Sequence, residues 1–408
     1  MIMIPAPLRQ PAFRWFFAGR TMSFLGSSMV PVALAFAVLD LSNSAAALGI
    51  VLAARSIPQV AFMLLGGVIS DRVSRSTVMV VSNALSGVSQ CLAATLLITG
   101  NAEVWSLAAI EAVNGTVAAF TFPAMTSVVP MVVERDQLQQ SNALLNFTRN
   151  GTFIAGPSIA AGIVVTVGSG WAIAVDGISF LISAVCMSRL HLPRMARAEA
   201  TSIIHDLREG WTAFVGRTWV WVIVAVFGVM NMVHAGVMFT LGPVIAKDTF
   251  GEGGWGLILS AEAVGFFLMT LVLMKATLRF PLRAGMIGMV ALGLPMLVLG
   301  IAPEVVPLVA LSFLGGAGVE VFDIGWSTAL QEQIPLEVLS RVSSYDALGS
   351  FIAIPIGQLL AGPLAQAFGE RDVAIAGAVV YFVCVALALA SRSVRNLERL
   401  PAGAAPPT

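Results

Sequence analysis

Long apolar runs, separated by short polar segments, constrain the fold of this chain more than any other feature. Of its 408 residues, 58% are hydrophobic and only 11% are charged, and the mean hydropathy is +0.90. A soluble domain carries about 25% charged residues, so this chain has more apolar surface than a soluble fold buries. Lipid offers the backbone no hydrogen-bond partner, which favours helices. The sequence therefore predicts an all-α integral membrane protein.

The apolar runs fall into two sets of six. A crossing takes about 20 apolar residues, so the chain has room for twelve helices. The first set is predicted near residues 13–39, 45–70, 76–99, 104–126, 146–168 and 171–189. The second set is predicted near residues 219–246, 254–274, 284–302, 306–330, 343–367 and 372–391.

A polar, arginine-rich break between the two sets suggests how the chain is divided. The predicted parts are an N-terminal six-helix half (1–189), a cytoplasmic linker (190–218), a C-terminal six-helix half (219–395) and a flexible tail (396–408). Within the linker, the pattern of residues 205–211 favours a short helix on the membrane surface.

An internal repeat supports the two halves. The sequence Gly-Thr-Phe-Ile-Ala-Gly-Pro at residues 151–157 recurs as Gly-Ser-Phe-Ile-Ala-Ile-Pro at residues 349–355. Each copy opens the fifth helix of its half. Similar halves in the same orientation are typical of transporters whose substrate site is a central cavity between the halves.

The basic residues predict the orientation. One alternating set of loops holds most of them, including Arg72, Arg149, Arg279 and Arg392, whereas the opposite loops hold little more than Lys247 and Arg371. By the positive-inside rule, both termini and the linker are cytoplasmic. We expect a multi-pass protein of the bacterial cytoplasmic (inner) membrane.

The loop after the second predicted span carries a recognisable signature. Residues 67–75 read Gly-Val-Ile-Ser-Asp-Arg-Val-Ser-Arg, which resembles the Gly-x-x-x-Asp-Arg-x-x-Arg loop of the major facilitator superfamily. Gly67 allows two helices to approach closely, and Asp71 can pair with Arg72 or Arg75. The resemblance implies a cytoplasmic latch for the outward-facing state; an ordinary positive-inside turn is the alternative.

The fifth predicted span holds Gly156 and Pro157 among other small residues, which resembles the Gly-Pro motif of the superfamily's exporters. A proline kinks a helix and small residues permit close packing, so the motif predicts a bendable contact between the halves. A plain packing kink is the alternative.

Further segments extend the resemblance over nearly the whole chain. Residues 40–45, 130–142 and 331–344 look like the subfamily of enterobactin exporters and macrolide or multidrug efflux proteins. That resemblance implies a proton-coupled antiporter for drugs or siderophores. Two departures stand out: Glu111 occupies a position where the superfamily often has arginine, and residues 275–283 lack the glycine and aspartate of a second loop signature.

Ionisable residues inside the predicted spans are the main functional candidates, because a charge in the bilayer costs several kcal/mol. Arg55 and Glu111 lie at similar depths and can form a buried charge pair. The pair is either a static bridge or a switch in which Glu111 takes a proton as Arg55 moves away. The proton-coupling candidates are Glu320, Asp323, Glu262 and Glu111.

Glu320 and Asp323 lie three residues apart, on one face of the tenth helix. Two carboxylates so close in an apolar span repel each other, which favours a shared proton. The alternative is one permanently protonated acid with a structural hydrogen bond. Asp176 and Asp346 are read as caps or anchors near helix ends.

Aromatic and polar residues of the spans predict a soft cavity for amphipathic compounds. The substrate-cavity candidates are Arg20, Phe24, Asn231, His234, Phe239 and Trp326. For His234, the alternative is a packed hydrogen bond between helices.

These observations predict a secondary active transporter that exports small amphipathic or hydrophobic molecules by proton antiport with alternating access. A proton-coupled uptake symporter is the alternative. The chain has no nucleophile motif, metal-ligand spacing or phosphate-binding loop, so we expect no enzyme activity, metal or cofactor, and a proton gradient as energy source. The expected partners are the substrate, protons and membrane lipid, and we expect no binding of nucleic acid. We expect the protein to be a monomer.

Overall fold

The structure, a computed structural model, describes residues 6–399 except residues 73, 127, 134–137, 191–210, 275 and 277. Among the described residues, twelve helices are long and apolar enough to cross a membrane. The chain divides into two compact units, Met1–Ala198 and Glu199–Thr408. The boundary between the units and most of the predicted surface helix lie outside the described residues.

Six spanning helices form the first unit. They are α1 (Pro11–Ser42), α2 (Ala45–Arg72), α3 (Arg75–Ile98), α4 (Val104–Thr126), α5 (Leu138–Val167) and α6 (Ser169–Ser188). Local chemistry sets two of their ends. Asn43 ends α1 in the left-handed conformation, with φ of 47°. The Ser74 side chain caps α3 by accepting a hydrogen bond from the Thr77 amide.

Six more spanning helices form the second unit. They are α7 (Thr218–Thr249), α8 (Gly251–Leu273), α9 (Pro281–Ile301), α10 (Val305–Gln333), α11 (Val342–Phe368) and α12 (Glu370–Ala390). Two of them are irregular. A π-helical segment, Ala235–Leu241, interrupts α7, and α11 is broken between Phe351 and Ile354, just before Pro355. Proline lacks a backbone N–H, which explains the break in α11.

All twelve predicted spans coincide with helices, so the predicted fold class is confirmed. The fifth predicted span, near residues 146–168, agrees with the spanning part of α5, Leu144–Val167, but the helix itself begins earlier, at Leu138. An apolar window marks only the part of a helix that crosses the hydrocarbon, and α5 continues through polar residues beyond it. Arg149, which was counted among the basic loop residues although it falls inside the predicted span, lies within α5.

The two units use the same helix pairings. In the first unit α1 packs on α5 and α6, α2 on α4, and α3 on α4 and α6. In the second unit α7 packs on α11 and α12, α8 on α10, and α9 on α10 and α12. Each pairing recurs six helices later, which agrees with the internal sequence repeat.

Glycines set the closest of these contacts. A Cβ added at Gly115 of α4 would overlap the backbone carbonyl of Arg55 on α2, and one added at Gly316 of α10 would overlap that of Glu262 on α8. Small residues let helix backbones approach in this way in membranes. Both contacts therefore place an ionisable residue at a close approach of a helix pair.

Candidate functional site

A buried polar cluster lies between α2, α3 and α4. The Nη1 of Arg55 lies 3.0 Å from Oε2 of Glu111, and the Nε2 of Gln90 donates to Oε1 of Glu111 at 3.1 Å. The side chain of Glu111 is 2% exposed, whereas that of Arg55 is 33% exposed. The structure therefore brings the two predicted partners together and adds Gln90. Both oxygens of Glu111 are held, and only Arg55 is open to solvent.

Asp176 of α6 extends this cluster, and its reading as a helix-end residue is wrong. It lies seven residues after the start of α6, about 10 Å along the helix axis, and it is 1% exposed. Neither carboxylate oxygen has a hydrogen-bond partner in the described part of the chain. Asp176 is near enough to Arg55 and Glu111 to interact with both electrostatically. A buried carboxylate without partners is costly, so the position is a candidate for function.

A cavity of about 480 Å³, which we call the polar cavity, opens beside this cluster within the first unit. The charged side chains that line it, in the described part of the chain, are Arg20, Arg55 and Arg149. Its amide side chains are Gln59, Gln90, Asn83, Asn114 and Asn146. The guanidinium of Arg20 lies 4.2 Å from the ring centroid of Phe24, which is a cation–π distance. Two predicted cavity residues, Arg20 and Phe24, therefore do line a cavity.

The acids of α10 occupy different environments. Glu320 is 5% exposed, and its Oε1 accepts a hydrogen bond of 2.6 Å from Oγ1 of Thr270 on α8. Asp323 is exposed, although its charge still interacts with that of Glu320. Of these two predicted proton-coupling candidates, Asp323 is therefore the one with an exposed side chain.

Glu262 lies in the interior of α8, at the tight contact with Gly316. It is close enough to Tyr381 of α12 for an electrostatic interaction. Glu262 thus lies near a buried hydroxyl, that of Tyr381, which has no hydrogen-bond partner among the described residues.

The remaining cavity candidates in the second unit make mostly structural contacts. The Nδ2 of Asn231 donates to the carbonyl of Ser350 at 2.9 Å. The ring centroid of His234 lies 5.3 Å from that of Phe239, which is 40% exposed. Trp326 is buried beside Phe322 and Trp219.

Asp346 anchors Trp326. Its Oδ2 accepts a hydrogen bond of 2.8 Å from Nε1 of Trp326, and its Oδ1 accepts one of 3.3 Å from the Ser350 hydroxyl. The bond joins α11 to α10. The sequence reading of Asp346 as an anchor near a helix end agrees with this contact, since the residue lies in the first turns of α11.

The motif residues of the first unit are only partly described. The side chains of Gly67, Asp71, Arg72 and Arg75 lie outside the described residues, so the latch stays a prediction. Gly156 and Pro157 are buried inside α5. A Cβ at Gly156 would overlap the hydroxyl of Ser28, so the glycine permits close packing of α5 on α1. The predicted bendable contact between the halves remains a prediction.

Comparison with known proteins identifies the family. The sequence profile of the Major Facilitator Superfamily matches residues 16–345, which is most of the chain. The chain belongs to the Major Facilitator Superfamily. This membership confirms the resemblance to the superfamily, and it identifies the protein as a transporter and not an enzyme.

Relatives within the Major Facilitator Superfamily include efflux proteins. The multidrug efflux pump Tap of Mycobacterium tuberculosis is 26% identical over 408 residues, with 96% of each chain covered. Macrolide efflux protein A of Streptococcus pyogenes is 22% identical over 386 residues, covering 92% of this chain and 94% of that protein. The chain is therefore similar to efflux proteins along nearly its whole length.

Solved structures of the superfamily agree on the fold. The nucleoside transporter NupG superposes with a TM-score of 0.74 at 14% identity, covering 93% of this chain and 98% of that one. A bacterial homolog of the lysosomal transporter Spinster, in an inward-facing and unoccupied conformation, gives 0.75 at 13% identity, covering 96% and 98%. At these identities the likeness extends to the fold alone.

Several site residues were missed by sequence reasoning. Gln90, Thr270 and Tyr381 are uncharged, so nothing in an apolar run distinguishes them from packing residues. Asp176 and Arg149 are charged and were visible, but both were assigned to helix ends or loops. Both residues lie well inside a long helix, and only the helix bounds in the structure made this position clear.

Proposed function

We propose that this protein exports small amphipathic or hydrophobic molecules, such as drugs or siderophore-like metabolites, by proton antiport with alternating access. The observation that carries the proposal is the buried Arg55–Glu111 pair inside a transporter similar to efflux proteins. Placing an ionisable pair within the membrane costs free energy, so such a pair usually has a structural or functional task. Proton coupling is such a task.

The pair is suited to a switch because its two members differ in exposure. When Glu111 binds a proton, the attraction that holds Arg55 falls, and Arg55 is free to turn toward the polar cavity that it already lines. Gln90 would keep the neutral acid in place through its hydrogen bond. Proton release would then restore the pair and return the helices to their first arrangement.

The acids of the second unit are further candidates for the same proton. Asp323 is exposed and lies one helical turn from Glu320, whose carboxylate is held by Thr270. A proton can therefore enter at Asp323 and pass to Glu320. Glu262, near Tyr381, is a third candidate.

We place the protein in the bacterial cytoplasmic membrane as a monomer. Both termini lie on the cytoplasmic side in this proposal, because the basic loops follow the positive-inside rule. In this arrangement the residues of the predicted latch, Gly67, Asp71, Arg72 and Arg75, face the cytoplasm. The proton gradient would be the energy source, and no cofactor would be required.

The test is transport in proteoliposomes under an imposed pH gradient, with a panel of lipophilic cations and hydrophobic antibiotics. Wild type is compared with Glu111→Gln, Glu320→Gln and Asp323→Asn, and with Glu304→Gln as a matched control at an exposed position. Gradient-driven movement that a protonophore abolishes, and that at least one of the first three variants loses while the control keeps it, supports antiport.

An uptake symporter is the second reading, and the same assay separates it from export. Substrate that moves in the same direction as the protons indicates symport, whereas opposite movement indicates antiport. If folded protein moves no compound of the panel, the proposal of broad drug export is wrong.

A further inference from the structure

The polar cavity has a charge pattern that the proposed proton coupling does not explain. All three charged side chains that line it in the described part of the chain are arginines: Arg20, Arg55 and Arg149. Arg55 is paired with Glu111. Arg20 and Arg149 are close enough for their positive charges to repel each other. Like charges that face one space in a membrane protein are unfavourable, and an anion placed between them relieves the repulsion.

The geometry and the chemistry of the lining suit such an anion. Guanidinium groups present planar N–H donors that match carboxylate and phosphate groups better than an ammonium does. Amide side chains, among them Asn114 and Asn146, add further donors. The ring of Phe24 beside Arg20 offers an apolar face. The volume of about 480 Å³ falls within the range of about 300–1,000 Å³ that is usual for small-molecule sites.

The packing of α1 on α5 brings Arg20 and Arg149 to the same cavity. Arg20 and Arg149 come from α1 and α5, which pack on each other through Ser28 and Gly156. That close contact holds the two backbones at a short, defined distance. The two arginines therefore line one cavity from helices whose spacing is set by this contact.

We infer that the polar cavity binds a small organic anion, a molecule with a carboxylate, sulfonate or phosphate group on an apolar body, whose charged group lies between Arg20 and Arg149. The inference rests on the proposed function and deepens it, because it assigns the exported substrate to the class of amphipathic anions. The headgroup of an anionic lipid has the same chemistry, and the experiment below distinguishes that source from a free substrate.

The experiment is calorimetric titration of the purified full chain in phosphatidylcholine nanodiscs. The probes are 2-naphthoate, its neutral isostere 2-naphthamide, and the cation of 2-naphthylmethylamine. We expect naphthoate to bind at least about tenfold more tightly than either of the others, since a hydrogen bond between two charged groups is stronger than one to a neutral group. Arg149→Gln and Arg20→Gln should each weaken naphthoate binding by about tenfold and leave naphthamide binding unchanged.

Two further variants make the result specific. Arg149→Lys keeps the charge but loses the planar donor, so it should retain part of the affinity for naphthoate. Arg395→Gln changes an arginine outside the cavity and should have no effect. Thermal unfolding of each variant identifies any that is misfolded. Equal binding of naphthoate and naphthamide to wild type, or unchanged naphthoate binding in folded Arg20 and Arg149 variants, would overturn the inference.

Nanodiscs that contain phosphatidylglycerol identify the source of the anion. If this lipid competes with naphthoate, the site takes a lipid headgroup; if it does not, the site takes a free anion. Either result retains the anion site. Failure of the proposed function looks different: naphthoate would bind through the arginines, but neither naphthoate nor any compound of the panel would move under a pH gradient. Conversely, gradient-driven export of cations by a protein that does not bind naphthoate would leave export standing and remove the anion site.

Discussion

Replacing Gly115 by alanine tests whether the closest helix contact of the first unit has the importance that its geometry suggests. A Cβ at this position would overlap the backbone carbonyl of Arg55, and a backbone cannot move aside as a flexible side chain can. Overpacking of this kind typically costs about 1–3 kcal/mol. Since α4 would have to move away from α2, the Arg55–Glu111 pair that bridges them should also lengthen.

Gly162→Ala is the matched control, because a Cβ at that position in α5 meets no atom within 4 Å. Both variants gain the same intrinsic helix propensity, so the difference between them isolates the packing effect. We expect Gly115→Ala to be less stable than Gly162→Ala by about 1–3 kcal/mol in reversible unfolding in mixed micelles. Equal stability of the two variants would refute the reasoning, since it would mean that α2 and α4 do not depend on the missing side chain for their approach.

Three further predictions concern the buried polar groups. Arg55→Gln should lower the free energy of unfolding by about 3–5 kcal/mol, as is typical when one partner of a buried ion pair is removed. Glu111→Gln should lower it by less, because the Arg55 side chain that remains is partly solvated. The same unfolding assay measures which variant is less stable. Thr270→Val removes the hydroxyl that donates to Glu320, so we expect a loss of about 1–3 kcal/mol, which Thr270→Ser should partly restore. Asp176→Asn removes a carboxylate without hydrogen-bond partners in the described structure, so stability at pH 8 should be unchanged or higher; a loss above about 2 kcal/mol would show that the carboxylate is needed.

The fold was largely predictable from the sequence, because the bilayer acts as a solvent with one simple demand. Each run of about 20 apolar residues must form a helix that satisfies its own backbone. The twelve helices follow from that demand, and the repeated heptapeptide at residues 151–157 and 349–355 indicates two similar halves. Hydropathy did not show where a helix extends beyond the hydrocarbon, as α5 does from Leu138. There the helix begins in polar residues before the apolar window starts.

The candidate site was predictable only in part. Arg55 and Glu111 could be paired because each is the conspicuous charge in its span and their depths match. Gln90 and Thr270, which donate hydrogen bonds to Glu111 and Glu320, carry no charge and could not be told from packing residues. Arg149 was visible as a charge but was assigned to a loop.

By itself the sequence determined that this is a membrane transporter with two sets of six helices, because hydropathy and loop motifs act locally along the chain. The tertiary structure alone decided which polar groups meet. Whether Asp176 lies near Arg55 depends on how α6 packs on α3 and α2 on α4, and whether Arg20 and Arg149 face one cavity depends on the contact of α1 with α5. Such contacts join residues far apart in sequence, through helix rotations that hydropathy does not specify.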